Sequence, residues 1–357
     1  MNDGQSLADG AAGIALLHLE TGNWPAACAA LRRATTGGMS IANGASLFYG
    51  APALAFVLAA TDYPGLAHAR ATAAHGTATV TRRRLDAAHR RIDQHQQPHY
   101  AEYDLIRGLT GLGVTLRRLR DHDLLRQVLD YLVRLTEPLG TLPGWWCWNG
   151  PERTQPPPAG GHANLGMAHG ITGPLALLSL TLLDGVTVQG HIPAMTRICR
   201  WLDTWQQHTN SITWWPQTLT RADLRHGTPA QQAPLRPSWC YGTPSITRAQ
   251  QLAGRAMRDT ARQHLAETAF TSCLTDPTQT RLLIDRGLCH GTAGLLATAR
   301  RVAADSLTYI PLASMEDLHR QTTPTIDEPA GLLDGTAGSA LATATATTSW
   351  DACLLLA

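Results

Sequence analysis

Two kinds of hydrophobic pattern alternate along the chain. One is apolar nearly all round, as in Ile14–Leu19, Leu54–Leu58, Leu112–Leu116, Leu175–Leu180 and Leu295–Ala299. A helix without a polar face is a buried helix. The other carries arginines and acids along one stripe, as in Trp24–Arg33, Thr79–Ile92, Asp121–Leu135 and Met195–Gln206. That spacing predicts amphipathic helices with one face in solvent. Alternating β-branched runs are few, so strands are expected to be minor.

A turn and a short motif stand ahead of the apolar runs: glycine, two residues, then glycine or another small residue. The copies are Gly10–Gly13, Gly50–Ala53, Gly108–Gly111, Gly170–Gly173, Gly242–Ser245, Gly291–Gly294 and Gly335–Gly338, spaced by 40 to 72 residues. Small residues there let helix starts pack closely. Buried helices alternating with amphipathic ones predict an all-α chain, an (α/α) toroid of seven inner helices inside a layer of outer ones. An open solenoid needs the same pattern without closure. In a closed ring the turns before the seven glycines converge on one rim.

Two stretches read as loops lying over this domain. They are Pro151–Gly161, rich in Pro and Gly, and Asn210–Pro237, with scattered Pro and an exposed Trp214-Trp215. The repeat continues on both sides of them, so residues 1–357 are read as a single domain. The first copy begins near residue 6, and an outer helix ahead of it is expected to be missing.

Composition narrows the function. The 29 basic residues are all Arg and face 27 acids, a net charge of +2, which excludes a generally basic nucleic-acid binder. Without Lys there is no Schiff-base chemistry and no P-loop lysine. Seven cysteines make a poor disulfide framework. No apolar stretch reaches the roughly 18 residues of a membrane span. The polar start MNDGQSLADG is not a signal peptide. The expectation is a cytoplasmic protein in a reducing compartment.

The polar residues ahead of the glycines carry the candidate chemistry. Cys240, Cys289 and His290 form a Cys₂His set, three ligands with a fourth position open, as in catalytic zinc. Each cysteine alone reads as a small buried hydrophobe. Matching positions in consecutive repeats, beside a histidine, favour the metal. His169 suits general acid or base work near neutral pH, or is a structural histidine. Asp104 either orients such a base or caps a helix. Arg236 either holds a carboxylate or a developing enolate, or makes a surface ion pair. Tyr103 and Trp239 read as packing, and the other five cysteines as structural.

These stretches together resemble the lanthionine synthetase C-like (LanC) cyclases. They are Tyr103-Asp104-Leu-Ile-Arg-Gly-Leu-Thr-Gly111, Asn164-Leu-Gly-Met-Ala-His-Gly-Ile-Thr-Gly173, Arg236-Pro-Ser-Trp-Cys-Tyr-Gly-Thr-Pro244 and Leu288-Cys-His-Gly-Thr-Ala-Gly294. Ser349-Trp350-Asp351 before an apolar tail also looks like the family's end. The resemblance implies one zinc ion per chain on Cys240, Cys289 and His290, with His169 as acid/base, Asp104 as its carboxylate and Arg236 as a substrate-positioning cation. It implies addition of a peptide cysteine thiol to dehydroalanine or dehydrobutyrine in a dehydrated lanthipeptide precursor, closing a thioether ring. The further partners implied are a separate dehydratase and an exporter in a biosynthetic complex, through which the protein would lie peripheral to the membrane. The competing readings are a LanC-like transferase adding glutathione or another small thiol, and a non-catalytic zinc-stabilised peptide-binding scaffold.

Overall fold

The structure is a computed structural model describing residues 3–150, 156–209 and 212–357. Each of the seven motifs opens a helix. The inner helices are α1 (Ala11–Glu20), α3 (Ala51–Leu58), α6 (Leu109–Leu119), α8 (Thr172–Leu183), α11 (Thr243–Met257), α14 (Thr292–Asp305) and α16 (Thr336–Thr343). The outer helices are α2 (Trp24–Thr35), α4 (Ala67–Asp93), α7 (His122–Leu135), α9 (His191–Thr204), α12 (Thr260–Thr275) and α15 (Leu312–Gln321). Three short helices lie in connections: α5 (Tyr100–Tyr103), α10 (Arg221–His226) and α13 (Pro277–Thr280).

Each outer helix packs on the inner helix before it, and each inner helix packs on the next. Contact between α1 and α16 closes the ring, so the barrel is a toroid and not an open solenoid. Inner helices bury residues on every side; α3 is buried along its whole length and α8 through Thr181. Outer helices bury one stripe, as α7 does with Leu124, Leu125, Val128, Leu129 and Leu132.

The two layers begin differently. Asn23, Asp121 and Asp259 cap α2, α7 and α12 with their side chains, which satisfies orphan N–H groups at those helix starts. Glycine stands ahead of every inner helix, and no side chain caps any of them. Close approach explains the second small residue. A Cβ on Gly294 would lie 1.9 Å from the Leu288 carbonyl oxygen, and one on Gly338 1.9 Å from that of Leu332. The preceding turn folds directly over the helix start.

Backbone hydrogen bonds link these turns around the ring. Ala168 N–H donates to the Cys240 carbonyl (3.4 Å), Cys240 to Cys289 (3.1 Å), Cys289 to Leu333 (2.8 Å) and Leu333 to Ala8 (3.0 Å). Leu7 donates to Phe48 and Leu105 to Ala168. All seven turns therefore stand at one end of the barrel, where the inner-helix N-termini also gather.

The chain's last residues close the opposite end. Leu354, Leu355 and Leu356 are buried. Arg117 at the end of α6 donates to the Ala357 carbonyl (2.7 Å), and buried Arg248 donates to that of Leu356 (2.6 Å). Arg301 pairs with Asp351, and Glu20 accepts the Thr348 N–H at 2.7 Å.

Strands are minor, as expected. β1 (His162–Asn164) pairs antiparallel with β4 (Thr218–Thr220), and β2 (Gln207–Thr209) with β3 (Ile212–Trp214). Two expectations need correction. The 210–237 stretch is not wholly irregular: α10 forms there because Thr220 and Asp223 make a reciprocal capping box. Trp214 and Trp215 are buried, not exposed. Their indole N–H groups are satisfied by Thr209 Oγ1 (3.0 Å) and the Leu202 carbonyl (2.8 Å), the partners a buried Trp needs. Residues 151–155 of the first loop, and 210 and 211 of the second, lie outside the described residues.

Candidate metal centre and acid–base pair

The rim assigns a role to each position before the repeat glycine. Two residues before it stand Ala8, Phe48, Ile106, Ala168, Cys240, Cys289 and Leu333, mostly buried and holding the linked backbones. One residue before it stand Asp9, Tyr49, Arg107, His169, Tyr241, His290 and Asp334, each at least partly open to solvent. The second set is the more solvent-open of the two on this rim. His169 and His290 are thus equivalent residues of two repeats.

Cys240, Cys289 and His290 converge. Their Sγ and imidazole nitrogen atoms all lie within 4.8 Å of one another. Tetrahedral zinc, with ligands at about 2.0–2.3 Å, demands such a cluster of soft donors. Adjacent side chains on a regular helix diverge by about 100°. Cys289 and His290 escape that constraint because they lie in the turn before α14. Chemically and geometrically the three residues fit zinc.

The local electrostatics set these thiols apart. Hydrogen bonding with Cys289, then with His290 and Ser238, holds the Cys240 thiol well below the ordinary range, against the effect of burial. Cys289 is raised in consequence, first by that same bond to Cys240 and then by burial. His290 is raised, first by its bond to Cys240. By contrast, burial pushes Cys147 up to about 12 and Cys199 up to about 11, and raises Cys273 and Cys353 too. Those thiols are inert at neutral pH.

Two carboxylates flank the imidazole of His290. Asp334 Oδ1 lies 3.6 Å from Nδ1, and Asp285 Oδ2 lies 3.9 Å from Nε2. Asp334 is raised by burial first, with Asp9 and Asp285 adding like charge.

The second element of the site joins copies three and four. His169 Nδ1 lies 2.7 Å from Asp104 Oδ2. Asp104 is fully buried, and its Oδ1 accepts the backbone N–H groups of Arg107 and Gly108, each at 2.7 Å. It is therefore both turn cap and histidine partner, the two readings left open by its sequence. Burial raises its pKa first, while the bond with His169 pulls the other way. Aromatic rings enclose His169: Tyr100 at 5.2 Å and Tyr241 at 6.3 Å between ring centroids. Asn164 donates to the Tyr241 hydroxyl at 2.9 Å and holds it in place. The ring contacts continue outward from Tyr100 to His99 (4.8 Å) and exposed Trp148 (5.6 Å).

Arg236 precedes Cys240 in the turn before α11, and its charge acts on both Cys289 and His290. Its Nε is buried with no hydrogen-bond partner among the described residues. Tyr103 and Trp239 are fully buried and bond to the Trp145 and Leu354 carbonyls, as packing residues do.

Tyr100, Asn164, Tyr241 and Asp334 received no role from the sequence. For Tyr241 and Asp334 the usable signal was their place just before a repeat glycine, shared with His169 and His290. For Tyr100 and Asn164 no signal was available, since both act through contacts distant in sequence.

Over residues 2–355 the chain matches the family described as lanthionine synthetase C-like protein. The chain belongs to that family. A curated relative from Lactococcus lactis subsp. lactis, described as nisin biosynthesis protein NisC, is 25% identical over 203 residues, 55% of this chain. That match spans 48% of the relative, so the chain covers about half of the relative's length. A solved structure described as nisin cyclase matches with a TM-score of 0.84 at 20% identity, covering 100% of this chain and 93% of that one. At that identity the likeness speaks for the fold, and the expected (α/α) toroid of this LanC-like chain is borne out. No helix among its described residues is long and apolar enough to cross a membrane.

Proposed function

We propose that this LanC-like protein is a zinc-dependent lanthipeptide cyclase. Its substrate would be a precursor peptide whose Ser and Thr have already been dehydrated. The observation that carries the reading is the meeting of two sets on one rim: the Cys240–Cys289–His290 cluster and the His169–Asp104 pair.

One zinc ion per chain, bound by those three residues, would hold the substrate cysteine as a thiolate near neutral pH. That sulfur attacks the β-carbon of dehydroalanine or dehydrobutyrine, and the double-bond electrons move to the neighbouring carbonyl as an enolate. The enolate then takes a proton at its α-carbon, so that S–H has added across C=C. His169 is the proton donor in this reading, a task worth about 10²–10⁴ in rate. Asp104 fixes the ring orientation and balances the imidazolium. Arg236 supplies positive charge for the enolate, beside inner-helix N-termini of the same sign. Tyr100 and Tyr241 keep bulk water from the reacting face.

The same reading takes residues 1–357 as one domain of a cytoplasmic protein. It would meet a separate dehydratase and an exporter at the membrane.

The test is metal analysis combined with a ring-closure assay on a dehydrated, cysteine-containing peptide. One zinc per chain and a product of unchanged mass without a free thiol are expected. Addition of supplied glutathione ahead of ring closure would make the protein a small-thiol transferase. Zinc with neither product would leave a scaffold.

A further inference from the structure

The Asp104 turn is held from the outer layer as well as from within. Arg84 lies on α4, which packs on α6, the inner helix that this turn opens. Its Nη1 donates to the Arg107 carbonyl, and its Nη2 donates to the Asn43 carbonyl at 2.7 Å. Arg107 is also the residue whose N–H Asp104 Oδ1 accepts at 2.7 Å. Arg84 thus holds Arg107 by its oxygen, and Asp104 holds it by its nitrogen. Both acceptors of Arg84 are neutral carbonyls, so these bonds leave its positive charge in place.

That charge reaches Asp104. Arg84 favours the ionised carboxylate, and Asp104 in turn favours the cation on Arg84, against the burial of both. The titratable groups that also face Asp104 are His169, His99, Tyr103 and Cys147. Burial raises Tyr103 and Cys147 and lowers His99, so all three are neutral near pH 7. His169 is a cation only while both its ring nitrogens carry protons. Arginine keeps its charge throughout. When His169 gives a proton away, the charge of Arg84 remains to balance a fully buried carboxylate.

The placing of one proton depends on that balance. An imidazolium facing a carboxylate and a neutral imidazole facing a carboxylic acid hold the same number of protons. They differ only in whether the bridging proton sits on His169 Nδ1 or on Asp104 Oδ2, and nearby charge decides between them. The imidazolium releases its Nε2 proton readily; a neutral imidazole does not.

We infer that Arg84 is a positioning residue of the acid–base pair: it fixes the Arg107 peptide and keeps Asp104 a carboxylate, so that the bridging proton stays on His169 and the ring is an imidazolium when the enolate needs a proton. The inference rests on the cyclase reading for the use of that proton, and on the contacts of Arg84 for its placing.

The test pairs Arg84→Gln, which keeps a donor for one carbonyl but no charge, with Arg84→Lys, which keeps the charge. Nitrogen NMR of the histidine-labelled, zinc-loaded full chain, with His169 assigned through His169→Gln, shows which ring nitrogens carry protons. Down to about pH 5, the parent and Arg84→Lys should pass to an imidazolium protonated on both nitrogens. Arg84→Gln should stop at a neutral ring protonated on Nε2 alone. No substrate is needed, so failure here is distinct from a failure of ring closure. In ring closure, Arg84→Gln should lower kcat about tenfold or more with KM within about twofold, and Arg84→Lys should regain most of the loss. On an Asp104→Asn background, Arg84→Gln should cost less than about twofold more, since residues acting through one network do not add. A parent-like imidazolium in Arg84→Gln would overturn the inference, and so would its full loss on the Asp104→Asn background. Equal losses in the Gln and Lys variants would overturn it by leaving Arg84 the carbonyl contacts alone. Whether or not Arg84→Gln folds, a parent His169 that never becomes an imidazolium in this range would overturn it as well.

Discussion

His169 Nδ1 and Asp104 Oδ2, 65 residues apart in the chain, meet at 2.7 Å across two neighbouring turns of the rim. Asp104 spends its other oxygen on two backbone N–H groups of its own turn. Substitutions at the two positions should therefore separate chemistry from stability. His169→Ala should keep zinc and fold but lose about 10²-fold or more in ring closure. Asp104→Ala should also lose stability, by about 1–3 kcal/mol, because buried donors lose their acceptor. Asp104→Asn keeps one acceptor and should recover most of that stability but not the rate. Thermal melts and ring-closure kinetics on the three variants decide it. Unaltered ring formation by His169→Ala would remove the histidine from the mechanism.

The ligand assignment makes a stoichiometric prediction. The parent should carry one zinc per chain, and Cys240→Ala or Cys289→Ala should carry essentially none after dialysis. Cys199→Ala serves as control, because that thiol is buried and raised to about 11. Metal analysis of the four proteins checks it. Full zinc in either cysteine variant would make the assignment wrong.

Asp334 should matter to the metal without touching it. Its carboxylate lies 3.6 Å from His290 Nδ1, and carboxylates beyond a ligating histidine fix its ring and raise its basicity. Asp334→Asn should weaken zinc binding by about 10–100-fold in competition with a chromophoric chelator. An unchanged affinity would assign Asp334 to the surface alone.

The inner helices were legible because one local constraint recurs. A glycine that must pass under a carbonyl leaves the same mark in each copy, whatever the length of the connection. Cys240, Cys289 and His290 were legible for a related reason: equivalent turns stand together on a ring. The Asp104–His169 pair was half legible. Each residue marked its own turn, but nothing local said that copies three and four are hydrogen-bonded through Leu105 and Ala168. Trp214 and Trp215 misled because prolines and polar residues surround them, while α12, which packs on the strand that ends at Trp214, comes much later in the chain.

That recurring constraint gives a stability prediction. A methyl group on Gly294 would lie 1.9 Å from the Leu288 oxygen, and 3.2 Å from the Trp239 side chain. The oxygen belongs to the turn that carries Cys289, so it cannot retreat without moving Cys289 and His290, the proposed zinc ligands. Gly294→Ala should cost about 3 kcal/mol or more, in the range of overpacked core sites. Gly185→Ala is a poor comparison, since its φ of +77° is itself strained in other residues. Gly44→Ala, with open space around the added carbon, is the proper control and should change stability little. Denaturant midpoints of the two variants check the pair.

Two buried histidines set the response to acid. Burial pushes His162 and His319 down to about 4, from an ordinary value of 6.5. Above pH 6.5 neither the folded nor the unfolded chain holds a proton at these sites, and their contribution to stability is level. Between pH 6.5 and 4 the unfolded chain takes up protons that the folded one refuses, so stability falls with pH. Each site contributes up to about 1.4 kcal/mol per pH unit in that window. Below pH 4 both forms are protonated and this contribution levels off. His319→Gln should keep a hydrogen-bonding partner near Thr292 while removing the proton site. The difference between its urea midpoint and the parent's should therefore shift in favour of the variant as pH falls from 6.5 to 4. A pH-independent difference would show that His319 accepts a proton in the folded protein as readily as in water.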